Sequence, residues 1–122
     1  MNKSGMRFPR AVYGVGHEPD VRFTLANERT FLAWIRTSLA MLAVGVALEA
    51  LDLPIEPGLR HGASLIFLAI GTVVPLQAWF GWVRTERALR EALPLPAAAL
   101  ALPVALGTMA AAVLLVIGFV LR

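Results

Sequence analysis

The sequence predicts an all-α integral membrane protein with three transmembrane helices, the first extended into the cytoplasmic interface. Three observations predict it. The 122-residue chain is 58% hydrophobic and 16% charged, more apolar surface than a soluble domain of this size can hide. Three stretches each supply the roughly 20 mostly apolar residues that a crossing needs: Phe31 to Leu51, Gly62 to Val83 and Ala97 to Leu121. The segments between them are short and carry Pro54, Pro57 and Gly58, then Pro94 and Pro96, which are turn formers.

Residues 1–20 read as a cytoplasmic N-terminal segment and 21–122 as a three-helix membrane domain. No apolar run of signal-peptide type precedes the first span. Thr24 is the expected N-cap of the first helix, with the chain helical from Leu25 and with Val21 or Phe23 packing on its first turn. Pro75, inside the second span, should kink that helix and free the carbonyl of Gly71; Gln77 is the polar residue nearby. In the third, the alanine-rich 97–101 reads as helix, and Ala99, Pro103, Gly107 and Ala111 form a small-residue ridge suited to close packing. Trp34, Trp79 and Trp82 fall near span ends, where the headgroup layer favours tryptophan.

Charge sets the expected orientation. Lys3, Arg7, Arg10, Arg22, Arg29 and Arg36 lie before or at the start of the first span, and Arg84, Arg87 and Arg90 follow the second. The opposite side has only Arg60 and Arg122. Basic residues concentrate on the cytoplasmic side, so the N-terminus is expected inside and the C-terminus outside. Because the net charge of +3 sits beside apolar runs, it reads as a topology signal and not as a nucleic-acid footprint.

The charged entrance to the first span, Thr24 to Arg36, holds the candidate site. Arg29 and Arg36 are two turns apart, about 10 Å along the axis and within ~20° in direction. Ala33, Ala40, Ala43 and Ala47 share their face, which is therefore expected to pack closely. Ser38, Leu42, Gly45 and Glu49 lie nearly opposite, with Leu42 interrupting the small residues. Only twelve residues separate Arg36 from Glu49, about 18 Å of helix against a hydrocarbon core of about 30 Å. At least one of these charges is expected to face a protein or water interior. A buried arginine costs about 2.5–3.5 kcal/mol on insertion scales. Two readings stay open. Arg29 and Arg36 are anchors and topology signals, with Glu28 favouring the helix dipole; or oligomeric packing converges them on a shared axis where, with Asn27 and Glu28, they meet an anion. Lipid headgroup binding is a third, narrower option.

Other clusters carry less. His17, Glu18 and Asp20 lie in a loop without ligand spacing, and cysteine is absent, so no metal site is expected. Gly14 and Gly16 lack the rest of a nucleotide fingerprint. His61 reads as interfacial. No nucleophile pairs with a base, so neither catalysis nor a cofactor is expected.

Asn27-Glu28-Arg29-Thr30-Phe31-Leu32 followed by Trp34, with two further spans behind it, resembles the YidH-like family of small membrane proteins, domain of unknown function 202. The resemblance runs from about Val21 to the C-terminus and includes Trp82-Val83-Arg84. It implies a bacterial plasma (inner) membrane location. The domain also resembles the membrane part of the eukaryotic vacuolar transporter chaperone complex, associated with polyphosphate translocation through a pore lined by basic first-helix residues. That resemblance implies pore-facing roles for Arg29 and its neighbour Glu28, and a cytoplasmic basic patch at Arg84, Arg87 and Arg90. Arg36 has no matching position, and the polymerase and phosphate-sensing domains of that complex are absent. Three helices enclose no pore, so an oligomer or hetero-complex is expected, binding or conducting phosphate or polyphosphate. The competing class is a structural membrane module or chaperone subunit that stabilises partner membrane proteins.

Overall fold

The computed structural model describes residues 7–97 and 99–122. A single turn, α1 (Arg10–Tyr13), precedes three long helices: α2 (Val21–Ala50), α3 (Pro57–Arg90) and α4 (Ala101–Leu121). All three are long and apolar enough to cross a membrane. No strand occurs among the described residues. The central element is α3; α1, α2 and α4 each pack along it, and α2 and α4 do not pack along each other.

Three boundaries differ from expectation, each for a local reason. α2 starts at Val21, capped by Asp20, whose Oδ1 accepts from the Arg22 backbone N–H at 2.9 Å. Aspartate is the better cap. Hydrogen bonds from the Arg22 side chain, and then its backbone N–H, hold the Asp20 carboxyl below the usual carboxylate value. Thr24 is no cap; its hydroxyl crosses to Glu86 Oε2 at 3.4 Å. Val21 and Phe23 are exposed residues of the first turn. α3 outruns its expected span at both ends, with Glu56 as N-cap accepting from Leu59 N–H at 2.8 Å and Pro57 opening the helix, where a missing N–H costs nothing. α4 begins at Ala101 and not at Ala97. That start keeps Pro103 in the first turn; a helix from Ala97 would drive its ring into the carbonyl of Ala99.

With 30 and 34 residues, α2 and α3 measure about 45 and 51 Å. Both exceed the ~30 Å hydrocarbon core. They are level at one end, where Glu49 Oε1 meets His61 Nδ1 at 2.9 Å and Glu56 N–H donates to Gly118 O at 2.8 Å, tying in α4. With the level end set at one membrane border, the surplus of both helices overhangs together at the other end, the one with the tryptophans.

Within the span, two serines and two glycines form a reciprocal pair. Ser38 Oγ on α2 donates to Gly71 O on α3 at 2.6 Å, and Ser64 Oγ on α3 donates to Gly45 O on α2 at 2.7 Å. Close approach is what makes these bonds possible. A Cβ on Gly45 would sit 2.7 Å from Leu68 Cγ, and one on Gly71 would sit 2.6 Å from Leu42 Cγ. Leu42, read from sequence as an obstacle, is received by the glycine opposite. Close packing within the chain therefore uses the Ser38–Leu42–Gly45 face. The arginine-bearing face, expected to be the close one, leaves Ala33, Ala40 and Ala43 exposed.

The carbonyl that Pro75 frees is the one Ser38 caps, while Gln77 is exposed; α3 runs through Pro75 without a break. Leu48, Ala63, Phe67 and Ala111 form the apolar core. Of the third-span ridge, Gly107 and Ala111 face α3, joined by Gly118, whose Cβ would lie 2.6 Å from an Ile55 methyl. Ala99 and Pro103 are exposed.

The two serine bonds are predicted to be unequal. Gly45 O keeps its own helical donor, whereas Gly71 O has none because residue 75 is proline. Ser38→Ala should cost about 1–2 kcal/mol and Ser64→Ala about 0.5 kcal/mol in reversible unfolding from mixed micelles. Equal losses would contradict the role assigned to Pro75.

Candidate functional site

The overhanging end of α2 and α3 gathers most residues singled out by sequence, and sorts them onto different surfaces. Each residue advances about 100° around a helix, so neighbours in a short motif look in different directions. Asn27 is buried against α3: its Nδ2 donates to Trp82 O and to Glu86 Oε1, both at 3.1 Å. Glu86 is 1% exposed, a carboxylate enclosed by the amide of Asn27 and the hydroxyl of Thr24. Glu28, Arg29 and Arg36 are exposed and form no ion pair or side-chain hydrogen bond among the described residues. With Asn27 and Ser38 turned inward, Arg29 and Arg36 point about 160–200° away. They lie together on the side of α2 remote from α3.

The three arginines after the second span do not form one patch. Arg90 is 4% exposed; its Nε donates to Val15 O at 2.7 Å, and its two terminal nitrogens reach Glu18 Oε1 at 3.1 Å and Tyr13 O at 3.3 Å. Arg87 pairs with Glu91 at 3.6 Å. Arg84 is exposed and has no such partner among the described residues.

Arg90 thereby straps the N-terminal segment onto the tip of α3. His17 N–H donates to Arg90 O at 2.9 Å, and Glu18 also pairs with Arg7. Gly16 makes the approach possible. Its φ is +58°, and a Cβ there would lie 2.2 Å from Arg90 O. Among the described residues no group of His, Asp or Glu side chains is arranged to hold a metal; Glu18 serves the strap, and Asp20 caps α2. Aromatic rings line the same junction: Tyr13 lies 6.4 Å from Trp82, Trp82 stacks on Trp79 at 5.4 Å, and Phe31 meets Trp79 edge-on at 6.4 Å.

A groove of about 180 Å³ opens between α2, α3 and the connector to α4, with Trp34, Gln77, Gly81, Trp82, Arg84 and Thr85 among its walls. Neither Glu86 nor Arg90 was singled out by sequence as structural. Their burial follows from the antiparallel register of α2 against α3 and from the docked N-terminus, which no local pattern encodes.

The family model described as "Domain of unknown function (DUF202)" matches residues 22–88. The chain is 47% identical over 81 residues to the uncharacterized protein Rv2272 of Mycobacterium tuberculosis, covering 65% of this chain and 66% of that one, just under two thirds of its length. It is 42% identical over 83 residues to the inner membrane protein YidH of Escherichia coli K12, covering 67% of this chain and 72% of the relative. No solved structure matches.

Removing the amide from Asn27 leaves Glu86 buried with one weak donor. Asn27→Ala should cost about 1–3 kcal/mol, and Asn27→Asp more, since it sets two carboxylates side by side; a melting-temperature series in detergent checks the order. Gly16→Ala should undock the segment before α2 and leave the spans folded, read as new cleavage before residue 20 under limited proteolysis.

Proposed function

Because the chain belongs to the DUF202 family, we propose that it is a small inner-membrane protein that assembles with itself or other membrane subunits and binds or conducts anions of the phosphate or polyphosphate class. One observation carries this reading: Arg29 and Arg36 share the face of α2 that the chain itself leaves uncovered. Intramembrane or near-membrane charge without a partner is a site by default, and guanidinium suits phosphate oxygens by geometry. Asn27 contributes by holding α2 in the rotation that turns the arginines outward, and Glu28, also exposed, moderates their charge. Arg84 and Arg87 add positive potential at the same end.

The arrangement of the helices supports an assembly. With α2 and α4 on either side of α3, one chain encloses no channel, so a conduit requires several copies with their α2 faces turned to a common axis. In this reading the N-terminus and the overhang are cytoplasmic and the C-terminus lies outside.

Purified protein in liposomes should pass inorganic phosphate or tripolyphosphate. The Arg29→Ala, Arg36→Ala double variant should lower that flux about tenfold or more, the scale expected for losing charge-assisted contacts. Equal flux from both proteins, or none above empty liposomes, would leave the arginines as anchors and the protein as a structural module.

A further inference from the structure

The groove at the overhanging end has a composition that the outward arginines do not use. Its one cation, Arg84, is exposed and unpaired among the described residues. No carboxylate lines it. Glu86, two residues on, is turned inward to Asn27 and Thr24, and Glu91 answers Arg87. Trp34, Gln77 and Thr85 line the same groove, and the indole, amide and hydroxyl they carry donate to nothing among the described residues. Arginine, amide, indole and hydroxyl donors without an acid make a site for an anion with several acceptor oxygens.

Depth decides what carries that anion. Trp34 and Trp82 border the groove, and tryptophan marks the headgroup layer. Beside the groove and toward the membrane centre, large apolar side chains of α3, Phe80 and then Leu76 and Val73, are exposed, a surface that suits acyl chains. A volume of about 180 Å³ falls below the ~300 Å³ at which pockets for whole small molecules begin. It suits one polar head whose remainder lies outside.

We infer that this groove seats the phosphate headgroup of an anionic phospholipid, with Arg84 contacting the phosphate and the acyl chains lying along α3. The site is independent of Arg29 and Arg36, so it stands or falls apart from the anion-conducting reading.

Two variants test it from different sides. Arg84→Gln removes the cation. Gly81→Leu places bulk in the groove from a position where a Cβ meets nothing within 4 Å. Native mass spectrometry of the full chain from nanodiscs with equal phosphatidylglycerol and phosphatidylcholine should show retained phosphatidylglycerol favoured about fivefold, the scale of one basic residue at an anionic surface. Both variants should bring the ratio close to one with unchanged melting temperature. If one variant melts early, the other decides alone. No preference in the wild type overturns the inference, as does a preference that survives in a folded Gly81→Leu, which would place the lipid elsewhere. Displacement of the lipid by millimolar inorganic phosphate would assign the groove to a soluble anion and also overturns it.

Discussion

A carbonyl group in hydrocarbon must find a donor, and Pro75 deprives Gly71 of its own. Ser38 supplies the replacement from the neighbouring helix at 2.6 Å, and much else follows from that contact. It fixes how α2 is rotated and how far it is shifted along α3. One antiparallel register then brings together Asn27 with Trp82, Gly45 with Ser64, and Glu49 with His61. Slipping α2 by one residue would lose all of these pairs and present a different face to α3. Small residues allow the approach, and hydroxyls convert it into specificity, as expected where the solvent is as apolar as the side chains.

The same rotation divides the charged entrance of α2 between two tasks. Asn27 belongs to the interior, closing over Glu86, while Arg29 belongs to the surface. The family match at residues 22–88 covers nearly all of α2 and α3 and stops before α4. The region that the family model describes is thus the α2–α3 pair. α4 attaches to that pair through Gly107, Ala111 and Gly118, three positions where a larger residue has no room or no solvent.

Three spans were legible from apolar run length, and the freed Gly71 carbonyl was legible from Pro75. The residue that satisfies it was not. Gln77 is nearer in sequence, and only the register against α2 selects Ser38. Misjudging the close face had the same origin: Leu42 looks bulky until Gly71 stands opposite. The N-cap was misplaced because Thr24 and Asp20 both fit the pattern, and aspartate is the stronger cap. Arg90 looked like surface charge because the segment that buries it lies more than seventy residues away. Local chemistry was readable; pairings across the fold were not.

The overhang has a geometric consequence for whatever meets this protein from that side. Headgroups add only about 5–8 Å to each side of the hydrocarbon, and α2 and α3 outrun the hydrocarbon by about 15–20 Å. Bonded side by side through Asn27 and Glu86, they stand above the lipid surface as a short, stiff post. The strap from Arg90 to Tyr13, Val15 and Glu18 fastens the preceding chain to the tip of that post. With the level end at the opposite border, a visitor from the aqueous side encounters a raised platform and not a flush membrane face.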